Sequence, residues 1–486
     1  MRRLTTERVA TTLLLSLVFA LASRLPTDTD VWWHLRAGEQ IVHHGFIRTD
    51  SFSFTMAGKT WVDHSWGAEA LLFGLWQLAG RWGLALFTAT LATLGMWLVH
   101  RASSGSLLVR GPALLLGAAA AAIFWTPRPQ MLTFALTALL LWLLHVHKRE
   151  GRDLLWWVPP MMAVWANLHA GFAIGFVLLL GSLAGEVLGH LLDRKGTDVV
   201  PWPGVRRLAL VTAVSVGTVC LNPYGWRILA VPFQTLGIGA LRDYVFEWQP
   251  PDLHEPSTWP FALLVLALLV VLALGRRRLD WTDLVLAGGT AYLAFTATRN
   301  IAVFAVVATA IVARHLAGLA EDRGWPEVSR EPVAGRRAIV HAALVGVVVL
   351  GAGAKLVAEL ERPDAGAALR RTLPVGAADF LERTDPPGRM FNSYNWGGYL
   401  MWRLPDRAVF VDGRTDLYGD DFVVHDFLDT AEARPGWQQT LDRWDIDLVV
   451  IERDGSLARA LGDDPSWRLA FSDDRAAVFE RVAIGG

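Results

Sequence analysis

The sequence predicts a polytopic α-helical membrane protein, about eleven spans long, that ends in an extracytoplasmic α/β domain. Three observations predict it. Apolar residues fill 53% of the 486 positions, and mean hydropathy is +0.34. Apolar runs of bilayer-crossing length, about 17–21 residues, recur through the first 358 positions. Beyond residue 360 the chain turns rich in Asp and Arg and holds no long apolar run. The predicted division is a transmembrane domain at 1–358, with a large first external loop at 26–81, and a soluble domain at 359–486.

The runs fall near 9–25, 82–100, 112–126, 130–146, 154–168, 171–190, 206–222, 259–275, 281–297, 299–316 and 338–358. The first reads as a retained helix, because no small-residue cleavage site follows it. Two more runs, 66–79 and 226–240, are short for a crossing. Charge decides their place. If neither crosses, the dense basic loops all land on one side. Those loops carry Arg2, Arg3 and Arg8, then Arg101 and Arg110, then Lys148, Arg149 and Arg152. Further along come Arg194, Lys195, Arg206 and Arg207, then Arg276, Arg277 and Arg278, then Arg314, Arg323, Arg330, Arg336 and Arg337. The positive-inside rule makes that side the cytoplasm. The N-terminus is then inside, the last domain outside, and 66–79 and 226–240 are interfacial or half-inserted. The expected place is a bacterial cytoplasmic (inner) membrane.

The net charge of −1 averages two faces of a membrane and excludes little. One cysteine, Cys220, excludes an internal disulfide and a Cys-based zinc cluster. No Walker loop, GxGxxG, HExxH or GxSxG is present, and no nucleic-acid partner is expected.

With this topology the polar motifs gather on the outer face. They are the loop 26–81 with Asp28, Asp30, His34, His43, His44, Asp50, Asp63, His64 and Glu69, then Pro127-Arg128-Pro129-Gln130, Asn167-Leu168-His169 and Asn222-Pro223-Tyr224-Gly225. The Trp-Pro-Pro-rich loop around Glu247, the segment Thr298-Arg299-Asn300 and the C-terminal domain complete the set. Each alone reads as an ordinary helix-end cap or turn; together on one face they suggest a site, since polar groups at membrane depth are costly and line cavities. In the last domain, 375–382, 420–430 and 437–444 read as helices, and 390–391, 408–411, 447–451 and 476–479 as strands.

The stretch Thr27-Asp28-Thr29-Asp30-Val31-Trp32-Trp33-His34-Leu35-Arg36 opens the first external loop. Tryptophans belong at the membrane–water interface. Carboxylates placed there either bind a divalent cation through hard oxygens or act as a base toward a hydroxyl or amide. The plain alternative is a helix cap for a helix opening at Val31.

This stretch, with Ile41-Val42-His43-His44-Gly45-Phe46 after it, resembles the first external loop of GT-C glycosyltransferases, polytopic enzymes that use lipid-linked sugar donors. Its order is similar to that of the oligosaccharyltransferase catalytic subunit. Asn395-Trp396-Gly397-Gly398-Tyr399 and Asp406-Arg407-Ala408-Val409-Phe410-Val411-Asp412-Gly413-Arg414-Thr415 stand where that subunit has its Trp-Trp-Asp-Tyr-Gly signature and the following strand. No Trp-Trp-Asp-Tyr-Gly is present, so reading of a glycosylation sequon is not implied.

The resemblance implies transfer at the outer leaflet from a sugar on a polyprenyl phosphate or diphosphate to a glycan, lipid or protein acceptor. It makes Asp30 the base or metal ligand, Asp28 its support, and a divalent cation such as Mg or Mn the candidate cofactor. Arg128 and Arg299 suit the donor phosphate through bidentate hydrogen bonds. His34, His64, Glu247, Asn395, Trp396, Tyr399, Asp412 and Arg414 are candidates for acceptor contact or for shaping the site. For the histidines the alternative is interfacial hydrogen bonding, and for Glu247 a structural loop rather than a mobile flap. Two other functions compete: a transporter or flippase for lipid-linked saccharides, and a binder without turnover. Transporters usually show repeat symmetry and midplane ionisable residues, whereas no repeat is visible here.

Overall fold

The computed structural model describes residues 5–193, 198–275, 278–325 and 332–482. Arg2, Arg3, Arg194, Lys195, Arg276, Arg277 and Arg330, which carry part of the charge argument, lie outside the described residues. Every apolar run expected to span forms a helix. Among the described residues seven helices are long and apolar enough to cross a membrane, as in a multi-pass membrane protein. Four others, Thr6–Ala22, Val158–Leu168, Trp202–Thr218 and Trp281–Thr296, are 11 to 17 residues long.

The chain forms two compact units. The first comprises Met1–Arg24, Trp82–Leu229 and Phe246–Leu360; the second comprises Leu25–Arg81, Ala230–Val245 and Glu361–Gly486. The first external loop therefore folds with the C-terminal segment. Next to their junction, Gly80 breaks the helix Trp66–Ala102 with φ 52° and ψ −134°, a conformation glycine takes without steric cost.

In the first unit the helix Ile301–Asp322 is the core, buried on every side from residue 301 to 313. A helix apolar all round fits only inside a bundle. At one end of this unit a charged cluster ties four helices together. Lys148 pairs with Glu186, Arg149 with Asp280, and Arg314 with Asp283. Thr282 donates to Glu186 at 2.7 Å, and the Val200 N–H does so at 2.8 Å. Lys148 and Arg149, read from sequence as loop charges, are thus largely neutralised by acidic residues far along the chain.

The second unit holds a four-stranded mixed sheet of β1 (Arg389–Asn392), β2 (Ile446–Glu452), β3 (Trp467–Ser472) and β4 (Ala476–Arg481). Its order is β1-β2-β4-β3, with β1 parallel to β2 and the other pairs antiparallel. The helices Val375–Thr384 and Trp437–Arg443 form where expected, and 420–430 coils into a turn of π-helix at Phe422–Leu428 followed by Asp429–Ala431.

The stretch 408–411 does not form a strand of the sheet. Val409, Phe410 and Val411 are fully buried, which is what their apolar pattern signalled. Their backbone is satisfied otherwise. Phe410 N–H donates to Asn392 Oδ1 at 2.8 Å, Asn392 Nδ2 donates to Val411 O at 2.8 Å, and Val409 makes an isolated bridge at Ser53, its N–H donating to Phe52 O at 3.1 Å and its carbonyl accepting from Phe54 N–H at 3.2 Å. A side-chain amide does here what a neighbouring strand would do. The run 226–240 becomes the short helices Gly225–Ala230, Val231–Leu236 and Gly239–Tyr244. Asp420 accepts from the first amides of the last of these, Gly239 at 3.0 Å and Ala240 at 2.7 Å.

Candidate active site

The helix Val31–His44 begins at the Asp pair. Asp28 Oδ1 accepts from the Asp30 N–H at 2.9 Å, a local turn that leads the chain into the helix. Asp30 takes the N-cap position, yet its side chain makes no capping hydrogen bond. The capping alternative therefore divides: Asp28 does backbone work, and Asp30 makes no side-chain cap bond to the helix. Trp32 and Trp33 are buried in this unit instead of sitting with one edge in water. Trp32 meets Trp76 edge-on at 5.6 Å and Tyr399 at 5.3 Å. The indole N–H groups of both tryptophans have no acceptor among the described residues.

Asp30 lies against the loop Asp412-Gly413-Arg414. A Cβ on Gly413 would sit 2.5 Å from Asp30 Oδ1 and 3.0 Å from Trp33 Nε1, so only glycine leaves the carboxylate its place. The loop is held by buried charge. Arg414, 1% exposed, grips Asp412 with a two-pronged fork, Nε at 2.8 Å and Nη2 at 2.6 Å, and Nη1 reaches Asp50 at 2.6 Å. Its guanidinium also faces the rings of Trp61 and Phe52, 4.9 and 5.1 Å from their centroids. Tyr418 donates to Asp412 at 2.9 Å. Burial opposes the charge on Arg414, but the Asp412 and Asp50 carboxylates outweigh it and hold the guanidinium well above its ordinary range.

The sequence candidates Asn395, Trp396 and Tyr399 lie on the helix Tyr394–Arg403. Asn395 is exposed. Trp396 is fully buried and donates to Thr372 O at 3.1 Å; Tyr399 is buried and accepts from Arg403 at 3.0 Å. Gly397 lets this helix press onto the chain before the loop, since a Cβ there would lie 2.0 Å from Val411 O. Trp396, Tyr399, Asp412 and Arg414 are therefore interior groups, and Asp412 and Arg414 hold the loop against which Asp30 lies.

His34 lies one turn beyond Asp30 on the same helix, 6% exposed. Its Nδ1 is 2.9 Å from Glu69 Oε1. Glu69 and Asp63 are almost wholly buried, and one oxygen of each, Oε2 and Oδ2, lacks a conventional donor among the described residues. Two charged carboxyls buried together repel each other, so the pair is expected to hold one proton in common. Burial pushes the Asp63 carboxyl above its ordinary range, with the Glu69 hydrogen bond, His64 and the Ser65 N–H acting the other way. Asp63 and Glu69 were named from sequence only as polar residues of the first loop and given no role; the contact of Glu69 with His34, 35 residues away, is what draws notice to them. His64 Nδ1 lies 2.9 Å from the Ser65 hydroxyl.

This pair has a consequence for stability. A carboxyl whose folded pKa is raised keeps its proton where the unfolded chain has lost it. Stability then falls as pH rises from the ordinary carboxylate range through the raised value. In Glu69→Gln the amide donates to Asp63 while its oxygen accepts from His34, with no shared proton. The thermal midpoint of the wild type in detergent should fall from about pH 5 to about pH 8, and that of Glu69→Gln should fall less. Parallel curves would refute the shared proton.

In the first unit, Arg128 precedes the helix Gln130–Arg149, and Arg299 lies in the turn Thr298–Asn300 before Ile301–Asp322. Both converge on Glu247. Arg128 Nη2 is 2.6 Å from Glu247 Oε2, and Arg299 Nη1 is 3.6 Å from Oε1. Arg128 also donates to Gln130 Oε1 at 2.7 Å. The Arg299 guanidinium stacks on the Trp248 ring, 4.1 Å from its centroid. The Thr298 N–H and hydroxyl both donate to Gln249 O at 2.9 Å, which pins the loop. Burial pushes the Glu247 carboxyl up, but the two arginine charges and the Arg128 hydrogen bond more than reverse this and hold it below its ordinary range. The two arginines chosen from sequence are thus brought together, and by the glutamate read as a flap. Among the described residues no group of three or more His, Cys, Asp or Glu side chains converges as a metal centre.

Neither a scan of family models nor a search of curated proteins finds a match to the sequence. Solved structures do match. The oligosaccharyltransferase of Archaeoglobus fulgidus, tethered with an acceptor peptide containing the NVT sequon, is 13% identical at a TM-score of 0.54, over 92% of this chain and 69% of that one. ArnT from Cupriavidus metallidurans bound to undecaprenyl phosphate is 15% identical at a TM-score of 0.53, over 99% of both chains. Its apo structure matches at 16% identity and a TM-score of 0.54, over 98% of both. Identity this low speaks for architecture alone. The chain has a GT-C-like fold.

Proposed function

We propose that this protein is a GT-C glycosyltransferase that moves a sugar or glycan from a polyprenyl-phosphate-type lipid to an acceptor at the outer face of a bacterial cytoplasmic membrane. In this reading the chain crosses the bilayer about eleven times, with its N-terminus inside and its C-terminal domain outside. The observation that carries the reading is Asp30, a carboxylate at a helix start that does no capping and is seated against a glycine made immobile by buried ion pairs. The undecaprenyl phosphate in the ArnT structure and the acceptor peptide in the oligosaccharyltransferase structure support a lipid phosphate donor and a separate acceptor.

Asp30 takes the proton of the acceptor hydroxyl or amide. The acceptor atom then bonds to the anomeric carbon, and the bond from that carbon to the phosphate oxygen breaks. The electron pair leaves with the lipid phosphate. Taken by itself, the Arg128 and Arg299 pair of the first unit suits the binding of a lipid phosphate. One base and one leaving group on opposite faces imply inversion. No nucleotide motif is required, because the phosphate already activates the sugar. Asp28 and Asp30 suit a Mg or Mn ion, which takes one or two carboxylates together with substrate phosphate oxygens. Such an ion would supply positive charge to offset that of a phosphate.

The test is turnover of purified protein on a panel of polyprenyl-phosphate and polyprenyl-diphosphate sugars, read as released lipid phosphate. Absence of release from every donor while the protein stays folded would refute catalysis. The phosphate site has its own test. Arg128→Ala and Arg299→Ala should each weaken binding of undecaprenyl phosphate about tenfold or more, the worth of one charge-assisted hydrogen bond. Unchanged binding in both variants and in the double variant would remove the arginines from this role.

A further inference from the structure

We infer that Glu247 sets the charge that the lipid phosphate must carry: its carboxylate occupies the arginine pair, and a ligand enters only by displacing it. This rests on the reading of Arg128 and Arg299 as the phosphate site.

The geometry is that of an internal anion in an anion site. One carboxylate spans two guanidinium groups that come from different helix starts. The Arg299 plane is also braced by Trp248, so its direction is set independently of Glu247. The loop backbone is pinned two residues on, at Gln249, by both donors of Thr298. Glu247 can therefore swing away by rotating its own side chain while the loop and the arginines stay.

Exchange then follows charge. A phosphodiester lipid such as phosphatidylglycerol carries one negative charge. Replacing one carboxylate by it leaves the Coulomb sum about where it was, and its oxygens at most restore the 2.6 Å hydrogen bond that Glu247 gives up. A phosphomonoester near pH 7 carries about −1.5 to −2 and offers three acceptor oxygens. A prenyl diphosphate carries at least as much. Only these gain by the exchange. Glu247 thus keeps abundant singly charged phospholipids out of the arginine pair. It also favours diphosphate-linked donors over sugars held by a single phosphodiester.

The experiment measures competition for purified full-length protein in detergent, with labelled undecaprenyl phosphate as the probe. The competitors are undecaprenyl diphosphate and phosphatidylglycerol. The wild type should prefer both prenyl phosphates over phosphatidylglycerol by about tenfold or more. Glu247→Gln should tighten phosphatidylglycerol about tenfold and shrink that preference. Glu247→Met, which keeps the volume without the charge, should do the same and stands in if the amide variant misfolds. If both variants weaken all three ligands alike, Glu247 merely holds the arginines and the inference is wrong. An unchanged preference overturns it too. If instead the Arg128→Ala/Arg299→Ala protein binds undecaprenyl phosphate as the wild type does, it is the phosphate site itself that fails.

Discussion

Asp30→Asn is expected to lower the rate of sugar transfer by roughly 10²–10⁴, the range for a positioned base, with expression and donor binding close to normal. The substitution keeps the size and hydrogen-bonding reach of the side chain and removes its charge. Its effect on folding should be small, because Asp30 makes no cap bond that could be lost and Asn caps about as well as Asp. Asp28→Asn should cost less. An asparagine oxygen still accepts the Asp30 N–H, so the turn at 2.9 Å survives. Release of lipid phosphate from a lipid-linked sugar, wild type against each variant, separates the roles. A silent Asp30→Asn would pass the role of base to Asp28, and two silent variants would end the catalytic reading of the loop. Equal large losses would point to a cation shared by both carboxylates.

Arg414→Met should be the most damaging single change in the second unit. It leaves Asp50 and Asp412 buried, close and uncompensated. Removing one partner of a buried ion pair costs about 3–5 kcal/mol, set against a total domain stability of about 5–15 kcal/mol. The expected result is a large drop in the thermal midpoint or failure to accumulate. Arg414→Lys should rescue little, since an ammonium cannot reproduce the two-pronged grip on Asp412 and the third bond to Asp50. Neutralising the acids together with the arginine, as Asp50→Asn, Asp412→Asn and Arg414→Met in one chain, should recover part of the loss. A single Arg414→Met protein as stable as the wild type would show that the ion pairs do not hold the loop. If that protein folds, its transfer rate should still be low, because the glycine beside Asp30 no longer has a fixed position.

Hydrophobic length was enough to locate each apolar helix. This is a local property: an apolar run must hide from water whatever its neighbours are. The Asp pair and the Asp412-Gly413-Arg414 loop were also legible, as short polar motifs beside such runs. Partners could not be read. Arg414 meets Asp50 across 364 residues, His34 meets Glu69 across 35, and Glu247 joins Arg128 across 119. The value of a buried charge depends on which opposite charge desolvation leaves beside it, and no window of sequence contains that. The stretch 408–411 makes the same point for backbone. Its apolar pattern announced burial correctly, but whether its amides join a sheet or a side chain depended on Asn392 being within reach. So the sequence alone determined which segments are helical and which motifs are candidates for chemistry. Only the tertiary structure decided that Asp28 turns the chain and Asp30 does not cap it, that Glu247 occupies the arginines, and that Glu69 meets His34, because each of these depends on distance through space.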